Sequence, residues 1–283
     1  MQGTSPLNVE VLQNQLDTQF FGVGNRLIYL PVVESTNTFA MQLAHKRPEE
    51  GVVVLTDSQT AGKGRQGRRW VDVSGCNVLS SILLRPLFPP HLLVMLASLA
   101  VVDTIAETCR ASATIKWPND VLIADQKVAG ILIETSQNLK GKMTAILGIG
   151  VNVNGRIQHL SEQFPNIITT ATTLETVCGH PVSRETFIAH LLKHIESDYL
   201  ALQREASETS SVVVPAQRPF SRLIRERWRG QLSTLGRTIS VQQKDAVISG
   251  VAEDVDDNGE LLLRCHSGER VSITWGDVNY PAR

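Results

Sequence analysis

The chain has 283 residues, 42% of them hydrophobic and 19% charged, with a net charge of -1, which excludes a disordered or fibrous protein and a whole-molecule polyanion binder. Its four cysteines, Cys76, Cys109, Cys178 and Cys265, show neither a CxxC pair nor metal-ligand spacing, so they read as reduced thiols, not as a disulfide scaffold. The start lacks a basic segment and an apolar run, and the longest apolar stretches fall short of the ~20 residues that span a bilayer, so a cytoplasmic protein without a membrane partner is expected.

In chain order, 7–20 reads as a short helix with Val9, Leu12 and Leu16 on one face. A β-rich run from Arg26 to Val33 follows. Ser35 then stands at a helix N-cap position, ahead of Phe39, Ala40, Leu43 and Ala44 at helical spacing. Val52–Thr56 and Asn77–Leu84 read as strands, separated by a glycine- and arginine-rich loop. Leu92–Cys109 reads as a buried helix. From Thr114 to Asn154 the chain is dense in β signals, with Val121–Ile123 and Val128–Glu134 forming a hairpin about Asp125 and Gln126. Phe187–Leu202 is an amphipathic helix, 204–217 a polar connection, and Phe220–Arg229 a further helix. Beyond Leu235, short strands at Thr238–Val241, Val247–Val251, Leu261–Arg264 and Val271–Thr274, with the turn signal Asn258-Gly259, suggest a small β-barrel. The expected division is a short extension (1–25), a catalytic domain (26–232) and a small C-terminal domain (233–283).

The most informative segment runs from Thr60 to Trp70. Gly62, Gly64 and Gly67 match GxGxxG, but Arg68-Arg69-Trp70 leads to a new strand and not into a helix, so the dinucleotide reading fails. No Gly-Lys-Ser/Thr is present, which removes the Walker reading as well. What remains is a loop with the cations Lys63, Arg65, Arg68 and Arg69, and glycines that let the backbone approach a ligand. It is a solvated basic loop, a weak nucleic-acid contact, or a lid for a phosphate-bearing ligand, which guanidinium groups bind through paired, charge-assisted bonds.

Two further segments gather chemistry at strand ends. Lys116-Trp117-Pro118-Asn119-Asp120 and the returning Lys127-Val128-Ala129-Gly130 bring an amide, a carboxylate and a lysine to one end of a sheet, although Asn-Asp after Pro is also ordinary turn chemistry. In Ile146–Asn154 one strand face carries Leu147, Ile149, Val151 and Val153. The other carries Ile146, Gly148, Gly150, Asn152 and Asn154, which suits either a flat ligand or a close backbone. His190 and His194 stand four apart, but no glutamate lies between them where a metalloprotease base would be.

Taken in order, Ser35-Thr36-Asn37, the Gln59–Trp70 loop, Lys116–Asp120 with Lys127–Gly130, and Gly148-Ile149-Gly150-Val151-Asn152 resemble the biotin–protein ligase family over about residues 26–283. The resemblance implies an α+β fold, namely a class II aminoacyl-tRNA-synthetase and biotin-synthetase-like catalytic domain with a C-terminal SH3-like β-barrel. It implies ATP, Mg²⁺ and biotin as ligands, biotinyl-AMP as intermediate, and a lysine of a biotin carboxyl carrier protein, as in acetyl-CoA carboxylase, as acceptor. By position, Ser35, Thr36, Asn37 and Gln59 would hold the biotin rings, and Gly148 and Gly150 would floor the pocket. Lys63, Gly64 and Arg65 would wrap the carboxylate and its phosphate, Arg65 acting in catalysis and on the adenylate as well, with Gly130 also on the biotin side. Arg68, Trp70, Asn119 and Asn152 would meet the nucleotide. Lys127 would bridge carboxylate and α-phosphate, and Asp120 would lie by the metal or assist the acceptor lysine.

Two positions depart from the family pattern. Lys63 replaces a frequent arginine, keeping charge but losing the planar fork. Gln66 stands where the bifunctional repressor-ligases carry arginine. Rival readings are a lipoate–protein ligase and a non-catalytic biotin-binding regulator. About 25 non-basic residues precede Arg26, too few for a DNA-reading helix-turn-helix, so no DNA partner is expected. A homodimer stays open.

Overall fold

Two β-sheets organise the chain. The computed structural model describes residues 5–46, 49–137, 141–155, 171–208, 219–243 and 246–280. The first sheet has seven strands in the order β1-β2-β3-β7-β6-β5-β4. They are β1 Leu27–Val33, β2 Val53–Gln59, β3 Val78–Leu84, β4 Thr114–Lys116, β5 Asp120–Ile123, β6 Gln126–Gln137 and β7 Met143–Val151. Strands β1 and β2 run parallel through the crossover helix α2 (Thr36–Lys46), and the other neighbours are antiparallel.

Alternation along these strands separates two apolar faces. Val53, Leu55, Ile82, Leu84, Leu147 and Ile149 point into the main core. That core is closed by α3 (His91–Cys109), α4 (Leu174–Cys178), α5 (Arg184–Ser207) and α6 (Pro219–Gln231). Val54, Leu83 and Ile146, one residue out of phase, pack against Ala40 of α2 in a smaller cluster. Helix α3 meets a membrane-span criterion by length and composition, but 67% of its apolar window is buried. It is the central core helix, which explains why it is apolar on nearly every side.

Short apolar strands with turn residues between them form the second sheet, in the order β11-β10-β9-β8-β12. The strands are β8 Thr238–Gln243, β9 Ala246–Val255, β10 Leu261–Cys265, β11 Arg270–Ile273 and β12 Asp277–Asn279. It is antiparallel throughout, and among the described residues β11 and β12 do not pair, so the expected barrel is an open sheet here. Strand β12, which periodicity did not reveal, has only three residues and buries only Val278. The small sheet is fastened to the Lys116–Asp120 segment. Trp117, 2% exposed, donates from its backbone to Thr234 Oγ1 (3.0 Å) and from Nε1 to the Gly259 carbonyl (2.9 Å).

Several boundaries differ from expectation. The first helix, α1, covers only Val9–Gln15, capped by Asn8, yet Leu7, Leu12 and Phe21 all enter the main core. Strand β7 ends at Val151, so Asn152 and Asn154 lie beyond the ladder. Helix α5 runs on through 204–207, and the rest of the expected connection, 209–217, lies outside the described residues. Helix α4 was not foreseen; its five residues span little more than a helical turn, too short for a periodic signal.

Candidate functional site

The residues that sequence reasoning singled out converge on one cavity of about 300 Å³ above strands β3, β7 and β6. Ser35, Thr36, Asn37, Gln59, Lys63, Gly64, Arg65, Arg68 and Trp70 all line it. So do Asn119, Asp120, Lys127, Gly130, Gly148, Gly150 and Asn152. Sequence places them far apart; the strand order puts β7 and β6 beside β3, under the loop that leaves β2.

One end of the cavity is a buried polar network at the N-terminus of α2. Ser35 caps that helix, accepting from the Thr38 amide (3.5 Å). The Gln59 side-chain carbonyl accepts from the Thr36 amide (2.8 Å) and hydroxyl (3.2 Å). Ser81 Oγ lies 2.7 Å from Thr36 Oγ1 and 2.6 Å from Asn37 Oδ1, and Asn37 Nδ2 donates to Glu134 Oε2 at 2.9 Å. A methyl group on Gly148 would sit 2.2 Å from Asn37 Oδ1, so glycine there is what admits the amide. Sequence reading overlooked Ser81 and Glu134. The signals were present: hydroxyls inside an apolar strand, and a carboxylate in phase with Gly130 and Leu132 on β6.

The other end is charged. Lys127 Nζ pairs with Asp120 Oδ1 at 2.7 Å and stands 5.6 Å from the Trp70 ring centroid. Arg65 donates to Asn119 Oδ1 at 2.9 Å. Burial pulls the Arg65 pKa down while Asp277 and Asp120 oppose that shift, and a guanidinium remains charged throughout. Lys116, half-buried with its ammonium 5.0 Å from the Tyr280 ring centroid, is likewise drawn down by burial and held up by Asp120.

The glycine–arginine loop is a small hairpin and not a loose strand. Trp70 donates to the Gly62 carbonyl (3.0 Å), Gly64 to the Arg68 carbonyl (2.7 Å), and Lys63 bridges Arg69 in antiparallel register. A Cβ on Gly62 would meet the Trp70 carbonyl at 2.6 Å. Its cations all have partners within the chain. Lys63 pairs with Glu134 (3.0 Å), Arg69 donates to the Thr60 carbonyl (2.8 Å), and Arg68 pairs with Asp277 of β12. Arg68, placed by sequence toward a nucleotide, therefore lines the cavity while its guanidinium reaches the C-terminal sheet.

Two more expectations need amendment. Gly150 does not present an empty floor, because the Trp70 ring lies where its Cβ would be, 2.7 Å away. Asn154, assigned to the ligand face, instead donates to the Val182 carbonyl (2.8 Å) and accepts from its amide (2.9 Å). Asn152 does stay at the cavity, donating to the Thr172 carbonyl (3.2 Å). Trp70 Nε1 is buried with no partner among the described residues. That is an unsatisfied donor beside the cavity, which an acceptor on a ligand would satisfy. Among the described residues no group of three or more His, Cys, Asp or Glu side chains could hold a metal ion.

Such a site suits an elongated acid with a polar head: hydrogen-bonding groups at one end, fixed cations at the other, and the Trp70 indole lying on Gly150 between them. Comparison with known proteins points the same way. The sequence model of the Biotin/lipoate A/B protein ligase family matches residues 29–154, and that of the Biotin protein ligase C terminal domain matches 234–279. The bifunctional ligase/repressor BirA of Bacillus subtilis (strain 168) is 33% identical over 250 residues, covering 87% of this chain and 71% of that protein. The biotin–[acetyl-CoA-carboxylase] ligase of Paracoccus denitrificans is 32% identical over 243 residues, covering 84% of this chain and 94% of that one. A biotin protein ligase from Aquifex aeolicus, solved in complex with biotin and ATP, superposes with a TM-score of 0.70 at 26% identity, covering 89% of this chain and 97% of that one.

Proposed function

This chain belongs to the biotin/lipoate A/B protein ligase family, and from that premise we propose that the cavity beneath the Gly62–Arg69 loop is where it activates biotin and hands it to a carrier lysine. The protein is a biotin–[acetyl-CoA-carboxylase] ligase whose substrates include biotin and ATP. The residue roles below are our reading, carried by one observation: the polar network and the cation cluster face each other across one cavity.

Ser35, Thr36, Asn37 and Gln59 offer both donors and acceptors, which a ureido head group needs. A biotin carboxylate and an ATP triphosphate repel, so fixed positive charge must bring them together. Lys127, Arg65 and Lys63 supply it. A biotin carboxylate oxygen attacks the α-phosphorus of ATP, and the bond to the β-phosphate oxygen breaks, releasing pyrophosphate with its electron pair. The carrier lysine amine then attacks the acyl carbon, the bond to AMP breaks, and the amine gives up its proton. Asp120 holds Lys127 in place, and its second oxygen is left to receive the incoming ammonium or that proton. Trp70 faces the nucleotide with its free indole N–H.

Mg²⁺ would arrive on the nucleotide and neutralise phosphate charge there. Asp120 is the cavity carboxylate fit to meet it, in keeping with a cation bound by one or two carboxylates and substrate phosphates. The cavity already holds Trp70, and its volume lies at the small end of the ~300–1,000 Å³ typical of ligand pockets. Biotin and ATP together therefore require the loop to shift and close again over the mixed anhydride, which water would otherwise hydrolyse.

The partner is the biotin carboxyl carrier domain of a biotin-dependent carboxylase. We place the protein in the cytosol, without a DNA or membrane role; homodimerisation is checked by sedimentation. Biotin-dependent pyrophosphate exchange tests the site. Lys127→Ala should lower it by about 10²-fold or more, and near-normal exchange would remove Lys127 from the mechanism. A carrier domain incubated with ATP and equal biotin and lipoate should gain the biotin mass; a lipoyl adduct would favour the lipoate reading.

A further inference from the structure

Glu134 touches both halves of the site and has no role in the scheme above. It is the residue after Gly130 and Leu132 on the cavity side of β6, since strand side chains alternate. Its carboxylate spans two elements that the strand order alone does not connect. Oε2 accepts from Asn37 Nδ2 (2.9 Å) at the buried start of α2, and Oε1 pairs with Lys63 Nζ (3.0 Å) on the loop.

The consequence for Asn37 follows from donor–acceptor arithmetic. A carboxylate only accepts, so it fixes the amide nitrogen toward β6 and turns Oδ1 toward the Ser81 hydroxyl, 2.6 Å away. Asn37 is 4% exposed and rests on the bare backbone of Gly148, so it has no room to settle elsewhere. Without an acceptor at Glu134 its NH₂ would be buried and unpaired, and the amide would be free to flip, exchanging donor and acceptor against the ligand. The Lys63 arm differs. Both side chains are partly exposed, 42% and 33%, so this ion pair contributes little to stability. It does hold the loop cation at the cavity rim before an acid arrives.

Resting on the biotin reading of the cavity, we propose that Glu134 is a positioning residue that sets biotin affinity: one oxygen orients the Asn37 amide for the head group, while the other holds Lys63 of the loop over the acid end. It touches neither ATP nor the reacting atoms, so its influence falls on biotin KM and not on turnover.

Glutamine separates the two arms, since its carbonyl still accepts from Asn37 while its NH₂ cannot pair with Lys63. Biotin KM, ATP KM and kcat are measured by pyrophosphate exchange on Glu134→Ala and Glu134→Gln, with limited trypsin cleavage in the Lys63–Arg69 loop as a second readout. Glu134→Ala should raise biotin KM by about tenfold or more, the effect of losing a bond to a charged acceptor. Its kcat and ATP KM should stay within about twofold of wild type, the scale on which an exposed ion pair acts. Glu134→Gln should restore biotin KM to within about threefold of wild type, yet ligand-free loop cleavage should be faster than wild type in both variants. An unchanged biotin KM in Glu134→Ala, a glutamine variant as impaired as alanine, or a fall in kcat with KM intact would each overturn the assignment. If Glu134→Ala does not fold, the glutamine variant decides: wild-type loop cleavage or a tenfold biotin KM defect overturns it. Wild-type exchange is the control on the functional reading. Its failure with biotin would sink that reading, whereas wild-type exchange with indifferent Glu134 variants sinks only this one.

Discussion

A single methyl group measures how closely the cavity is built. On Gly148 it would lie 2.2 Å from Asn37 Oδ1, and Asn37 is buried. On Gly150 it would lie 2.7 Å from the Trp70 ring, which sits on an openly lined cavity. The two glycines should therefore respond differently. Gly148→Ala is expected to lower stability by about 1–3 kcal/mol, as overpacking does, and to raise biotin KM together with it. Gly150→Ala should displace the indole instead, with a smaller loss of stability and a red-shifted Trp70 emission, resolved by comparison with Trp70→Phe. Equal melting temperatures for both variants would contradict this distinction. The common cause is that a glycine in a strand leaves its face to whatever side chain comes down on it.

Asp57 ties four segments together in the described structure. Its carboxylate accepts from the Leu7 amide, from the Tyr29 hydroxyl on β1 and from Arg184 at the start of α5 (2.7 Å), and it stands two residues before Gln59 on β2. Arg184 also donates to the Ser5 carbonyl (2.6 Å), so the segment ahead of α1 is fastened by the same cluster. Both charged groups are nearly buried, and removing one leaves the other uncompensated. Asp57→Asn is expected to cost about 3–5 kcal/mol, read as a fall in the urea midpoint. Burial and the bond to Asp57 push the Tyr29 phenol from 10.0 to about 12. A pKa raised on folding means a contribution fully present below pH 10 and lost as pH climbs toward about 12. Tyr29→Phe should flatten the alkaline limb of the stability curve over that window. An unchanged limb would show that Tyr29 is not its source.

The two sheets meet at the site as well as behind it. Trp117 is anchored to Thr234 and Gly259, and Arg68 of the loop reaches Asp277 on β12. The Arg68 side chain is 59% exposed, so Asp277→Asn should change stability by no more than about 1 kcal/mol in thermal melts. Loop cleavage by trypsin should nevertheless accelerate, because one of the two ion pairs that hold the hairpin down is gone. Unchanged cleavage would mean that the loop stands without the C-terminal sheet.

Much of this was legible one residue at a time. Composition and local period placed β1, α2, β3, α3 and α5: β3 and most of α3 are buried and α2 and α5 bury one face, so burial is written into the spacing of their apolar residues, whereas the half-buried β1 shows through its β-rich composition. The ordered motifs from Ser35 to Asn152 identified the family and nominated the cavity residues, since glycines, cations and amides at ligand-facing positions serve no core. Three things depended on the assembled chain. Whether Lys63, Arg68 and Lys127 stand free or paired is decided by Glu134, Asp277 and Asp120, and the first two lie many residues away. Whether Gly150 opens a floor or receives an indole depends on where the loop comes down. Whether the last strand closes a barrel depends on which edge three residues join. Each is a contact between distant segments, settled by strand order and packing, and no local pattern of apolar and polar residues encodes it.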